Sequence, residues 1–126
     1  MHPQDLDRLV ADFTERVPEV VRALVVSSDG VPLAASDRMP PDQLEQLSVI
    51  TSGLIGLAGA ADQVFDGGGF IQALVAMERG TLVIIAIDDG ASLAVFTTAS
   101  ADLDQVAYDM TLLVERAGRT FSPPVR

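Results

Sequence analysis

The chain has no cysteine. Disulfide staples, zinc–thiolate centres and a cysteine nucleophile are thereby excluded, and the composition suits a reducing compartment. Lysine and asparagine are also missing, so all eight basic side chains are arginine. The A-rich codons of both residues make that absence a mark of a GC-rich coding sequence. The only histidine is His2, beside the N-terminus. A Ser-His-Asp hydrolase needs a positioned imidazole and a His-based metal site needs several, so neither is expected. Positive charge is scarce, with eight basic against eighteen acidic side chains and a formal net charge of −10. Nucleic acids and anionic membrane surfaces attract basic proteins, which argues against both as partners. The N-terminus lacks a basic stretch followed by an apolar one, so no secretion signal is expected.

Other sites of chemistry fall to structural readings. Gly67-Gly68-Gly69 is followed by no lysine and precedes a strand, so it is not a phosphate loop. Asp88-Asp89 and the Asp62/Asp66 pair carry the oxygens a hard cation takes, but Asp88-Asp89 sits where a hairpin needs a turn residue. Arg79, at a hairpin tip, is a candidate arginine finger and more simply an exposed turn residue. Tyr108 has the spacing of a half-buried core residue. No catalytic, cofactor or metal residue is assigned.

What is present is a long apolar stretch, Leu44 to Phe65, with no charge between Glu45 and Asp62. It is too long for an ordinary strand and reads as a helix. Leu44, Leu47, Leu54, Ala58 and Ala61 follow one face, and Ile50, Leu57 and Val64 another. A helix apolar on more than one face needs cover on more than one side. Gly53, Gly56 and Gly59 lie in the same stretch, each costing about 1 kcal/mol against alanine, so close packing must offset them. Ser48, Ser52, Gly56 and Ala60 form a row of small residues at i, i+4 spacing. That row suits either a second copy of the helix or a close approach to the domain's own sheet. The run falls short of the roughly 20 apolar residues that span a bilayer and is interrupted by glycines. A soluble, cytoplasmic protein without direct membrane insertion is expected.

The 126 residues make one domain, with a core over about 4–118 and a frayed tail over 119–126. Gln4–Val17 has helical period, with Leu6, Leu9, Val10, Phe13 and Val17 on one face. Val20–Ser27 and Val31–Ala35 read as strands joined at Asp29-Gly30. Phe70–Glu78, Thr81–Asp88 and Ala91–Thr98 are three more strands, with tight turns at Arg79-Gly80 and Asp89-Gly90. Leu103 to Ala117 has helical period, capped by Ser100 and stopped at Gly118. The fold class is α+β in the order α-β-β-α-β-β-β-α. A five-stranded, mainly antiparallel sheet carries the long helix on one face and the terminal helices on the other.

With this order in hand, four stretches carry a family resemblance: Ser27–Ser36, Leu47–Ala61, Met77–Thr97 and Asp102–Gly118. The chain resembles the roadblock / dynein-light-chain family, in particular its short bacterial, actinobacterial-type branch. The resemblance implies dimers, homomeric or heteromeric, in which the long helices pair and the third strands join the two sheets. It places Leu47, Ser48, Ile50, Thr51, Ser52, Leu54, Ile55 and Ala58 at the dimer seam, with Gly56 from the small-residue row. It makes Phe70 to Met77, including Gln72 and Leu74, the joining edge strand. It further implies partnership with a Ras-like small GTPase, and in actinobacteria association with a sensor-kinase-like protein.

The expected function is a non-catalytic dimeric regulator, in some arrangements higher than a dimer. It would modulate the nucleotide cycle or location of a small GTPase in bacterial signalling. It would be cytoplasmic, reaching a membrane only through partners. Some family members accelerate hydrolysis by their partner without being enzymes themselves. Two alternatives stand beside it. One is a scaffold or light chain indifferent to nucleotide state. The other is a small-molecule-sensing module, placed last because no convergent polar cluster is visible in the sequence.

Overall fold

The computed structural model describes residues 3–36, 39–88 and 90–121. The elements follow the expected order: α1 (Pro3–Arg16), β1 (Val20–Ser27), β2 (Pro32–Ala35), α2 (Pro41–Phe65), β3 (Gln72–Met77), β4 (Gly80–Asp88), β5 (Ala91–Thr97) and α3 (Leu103–Phe121). The five strands form one sheet in the order β2-β1-β5-β4-β3, antiparallel throughout. β2 and β3 are consecutive strands at opposite edges, so α2 must cross the whole sheet between them. Four strand spacings span roughly 19 Å. The 25 residues of α2 reach about 37 Å, enough to cross at a slant and overshoot.

Strand side chains alternate between two faces. One face carries Ala23, Val25, Val83, Ile85, Leu93 and Val95, and is sealed by α1 and α3. Leu6, Val10 and Phe13 come from α1, and Val106, Met110, Leu113 and Ala117 from α3, all fully buried. The other face carries Leu24, Val26, Leu82, Ile84 and Ala94 under α2 alone.

Several boundaries differ from the sequence reading, each for a local reason. The Ser27 N–H donates to the Val31 carbonyl at 2.9 Å, and the turn between these two residues has three residues, not two. The Gly30 N–H donates to the Ser27 carbonyl at 3.0 Å, and Gly30 takes φ +83°. This is a turn closed by a left-handed glycine, the usual three-residue solution. The β3–β4 turn is Glu78-Arg79, because Gly80 pairs with Met77. Gly80 is needed for closeness: a Cβ there would overlap the Thr97 carbonyl oxygen and lie 2.5 Å from Phe96 Cζ. The α3 cap is Asp102, not Ser100. Its Oδ1 accepts the N–H groups of Asp104 and Gln105 at 3.1 and 3.2 Å. The helix runs through Gly118 to Phe121, past both the expected stop at Gly118 and the expected start of the tail at 119, and residues 122–126 lie outside the described ones. Pro41 opens α2 at a position where no N–H is required, as expected. α2 ends at Asp66 in a left-handed conformation, φ 52°.

Candidate protein-interaction surface

α2 is seated through small polar residues. Ser48 and Thr51 are its only fully buried residues, at 0% and 1% exposure. The Ser48 hydroxyl donates to the Leu44 carbonyl at 2.8 Å, which satisfies it beneath the helix. Leu44, Leu47, Leu54 and Ile55 flank this line, half-buried against the sheet. On one side Ser52 donates to the Ser28 carbonyl at 3.1 Å, which fixes that side against the β1–β2 loop. On the other side Leu47 shares a cleft with Met77 of β3. The helix therefore has a β2 side and a β3 side.

Toward β3 and outward, Leu47, Ile50, Leu54, Leu57, Ala61 and Val64 recur at alternating spacings of three and four. At 100° per residue they form one continuous stripe. Leu47 and Leu54 are half-buried; the other four are exposed, with Leu57 at 71% and Val64 at 78%. Phe65 and Ile71 continue the apolar surface at 80% and 81%. By length and composition alone α2 is apolar enough to cross a membrane, yet only 11% of its most apolar window is buried here. The sequence reading held the run too short for that; the helix exceeds the uncharged stretch at both ends.

The thirteen residues assigned to the seam from sequence separate into three groups. Ile50, Gly56, Gln72, Leu74 and Met77 are exposed, and a contact with another chain can use them. Leu47, Ser52, Leu54, Ile55, Ala58 and Phe70 are half-buried, and all but Ala58 have assigned contacts within the chain. Ser48 and Thr51 are corrections. Both point at the chain's own sheet and keep no surface for a second copy. The small-residue row fits neither of its two readings as a whole. An i, i+4 row drifts by about 40° per step, so Ser48 faces the sheet while Gly56 and Ala60 face outward. Leu57 and Val64 were legible as a second apolar face but had no place in the seam that the resemblance implied.

The sheet edges differ as well. At β2 the Ala35 N–H donates to Asp7 Oδ1 of α1 at 3.3 Å, so that edge is covered from within. At β3 the strand is mostly exposed, and no described element lies beyond it. Alternate residues of an edge strand direct N–H and C=O away from the sheet, a template for a further strand.

Chemical candidates are structural where they are described. Asp62 Oδ1 accepts the Gly69 N–H at 2.8 Å and so holds the turn after α2. Arg79 is an exposed turn residue. Tyr108 is exposed, not half-buried, because it lies outside the stripe of Val106, Met110 and Leu113 that α3 turns to the core. Among the described residues, no three His, Cys, Asp or Glu side chains come together as a metal site. His2 and Asp89 lie outside the described residues, as does the Asp88 side chain.

Comparison with known proteins agrees with this architecture. The family model for the Roadblock/LC7 domain matches residues 6–97. A Roadblock/LC7 domain structure from Streptomyces avermitilis is 28% identical, covers 88% of this chain and 92% of its own, and superposes with a TM-score of 0.83. A second from the same organism is 36% identical over 88% and 96% of the two chains, with a TM-score of 0.73. Myxococcus xanthus MglB shares the fold at 12% identity, covering 93% and 94%, with a TM-score of 0.85. No curated protein matches the chain. From the ordered sheet, its three helices and the family match, the chain belongs to the Roadblock/LC7 domain family.

Proposed function

We propose that the chain is a non-catalytic regulatory platform. It pairs with a second copy through the β3 side of α2 and the β3 edge, and the pair binds a Ras-like small GTPase. The carrying observation is the inversion of α2, whose fully buried residues are hydroxylic while Val49, Ile50, Leu57, Val64 and Phe65 are exposed. Covering a large apolar side chain is worth about 1.5–3 kcal/mol, so Ile50, Leu57, Val64 and Phe65 together offer a substantial gain to whatever covers them. The glycines support the same reading. A Cβ added at Gly53, Gly56 or Gly59 would meet nothing within 4 Å. Roughly 3 kcal/mol of helix propensity is thus given up with no close packing inside the chain. Close approach by another macromolecule would account for it.

A tetrameric arrangement is described for one MglB structure, 18% identical to this chain, so assemblies above the dimer belong to the proposal. The GTPase partner is proposed on the family resemblance, and a sensor-kinase-like protein is proposed beside it on the same ground. On this reading the protein works in the cytoplasm and reaches membranes only through its partners. Any effect on GTP hydrolysis acts through the partner's own site.

Light scattering over a dilution series tests the pairing, and a monomer at micromolar concentration overturns it. Mixing the protein with Ras-like small GTPases of its own genome, in GDP and GTP-analogue forms, tests the partner. Tighter binding to one form is expected, since only differential affinity shifts a nucleotide cycle. Equal affinity assigns the scaffold role instead, and no complex with either form overturns both.

A further inference from the structure

Two features of α2 have no role inside one chain. The first is its direction against β3. Gln43 and Leu47 share a cleft with Met77, Leu82 and Phe96, at the end of the sheet that carries the Glu78-Arg79 hairpin. Ser52 is tied to Ser28 of the β1–β2 loop, at the other end. α2 therefore runs away from the hairpin end, and β3 runs back toward it. A two-fold axis normal to the sheet that joins two β3 edges antiparallel also sets two α2 helices antiparallel, side by side. The C-terminal half of each helix then lies at the hairpin end of the other chain, beside its cleft.

The second is the pattern of the stripe. Leu47, Ile50, Leu54, Leu57, Ala61 and Val64 are spaced three, four, three, four and three apart, the same from either end. Reversed on itself about the midpoint of Ile55 and Gly56, the stripe sets Leu47 against Val64, Ile50 against Ala61 and Leu54 against Leu57. A two-fold contact between copies requires such self-complementarity.

The far end of the stripe has somewhere to go. The cleft has a volume of about 370 Å3 and mostly apolar walls, among them Leu24, Leu47, Met77, Leu82 and Phe96. Phe65 follows Leu47 by eighteen residues, five whole turns, so both leave the helix on the same side. Leu47 is half-buried on its own sheet. Phe65 lies about 20 Å beyond Ser52, the residue that meets the β1–β2 loop, and is 80% exposed.

Charge selects the occupant. A net charge of −10 holds copies of this chain apart, so a contact between them needs acid-free surface on both sides. The six stripe residues and the lining of the cleft include no acid. A basic partner would instead be met by carboxylates at the contact.

We propose that each cleft is completed by the second copy. The two α2 helices pair antiparallel in the register given above, and Val64 and Phe65 of the partner subunit enter the cleft beside Leu47 and Met77. This geometry rests on the pairing proposed in the preceding section and specifies how it is made.

The chain has no cysteine and no tryptophan, so introduced ones report without background. Oxidation of a mixture of the Leu47→Cys and Val64→Cys proteins is expected to give the mixed disulfide, and Leu57→Cys alone to cross-link to its own copy. Val64→Cys alone should not, because its two copies lie about 25 Å apart along the helices, against the ~7 Å between Cα atoms that a disulfide tolerates. Phe65→Trp should emit at shorter wavelength in the pair than after dilution to monomer. Phe65→Ser, at an exposed position of the chain, should weaken pairing about a hundredfold, since both clefts lose their ring. Cross-linking of Val64→Cys to itself overturns the proposal, because it means parallel helices. So does a Phe65→Trp emission that stays unchanged while light scattering shows the pair dissociating. In both of these cases the pairing itself stands. A chain that stays monomeric throughout overturns the pairing and this geometry together.

Discussion

The two faces of the sheet are covered in opposite ways. On the α1/α3 face two helices bring Leu6, Val10, Phe13, Val106, Met110, Leu113 and Ala117, every one buried. On the α2 face every fully buried apolar residue of the cluster comes from the strands, and none comes from the helix. α2 buries Ser48 and Thr51 and exposes Ile50, Leu57 and Val64. One helix about 10 Å across cannot cover a five-stranded face, whereas two can. The first face is finished within the chain, and the second is built to be finished by something else. The edges repeat the contrast, since β2 is tied to Asp7 and β3 is open.

The contrast predicts graded outcomes, read by denaturant unfolding at a concentration where the wild type is monomeric. Phe13→Ala, on the finished face, should cost about 3–5 kcal/mol through lost burial and a cavity. A loss below 1 kcal/mol would mean that this face is not the stabilising one. Gly80→Ala should cost about 1–3 kcal/mol, because the strand must shift away from Thr97 and Phe96. The double variant Gly53→Ala/Gly56→Ala should stabilise the isolated chain by roughly 1–2 kcal/mol, since the added methyls meet no neighbour. The same variant should weaken assembly in light scattering, and unchanged assembly would show that no partner approaches those glycines. Asp102→Ala should cost about 1 kcal/mol by removing the α3 cap. Leu57→Glu should move the isolated chain's stability by less than about 0.5 kcal/mol while abolishing self-association. A large loss of stability from that exposed position would break the comparison itself.

Element order was legible because each element carries its own period or punctuation. Leu6, Val10 and Phe13 have helical spacing, and Leu82 to Ile87 form an apolar run suited to a central strand covered on both faces. Turn lengths were less legible. Glu78-Arg79 and Arg79-Gly80 are equally plausible tips until the pairing of Gly80 with Met77 excludes the second. The cap of α3 was misplaced because Ser100 and Asp102 are both good cap residues, and only the donor geometry at Asp104 and Gln105 separates them. In the candidate surface, Ile50, Gly56, Leu74 and Met77 were anticipated and are exposed. Ser48 and Thr51 were misassigned because a small hydroxylic residue suits a helix–helix contact and a close seat on a sheet equally well. The cleft was not legible at all, since its lining comes from α2 and four strands that meet only in the folded chain.

By itself the amino-acid sequence determined the periods, the breaks and the excess of apolar circumference on residues 44–65. These depend on neighbours within a few turns of chain. Only the tertiary structure decided which part of that circumference is spent on the sheet and which is left in water. That choice depends on how far a helix joining opposite edges must slant and on which side chains are small enough to lie beneath it.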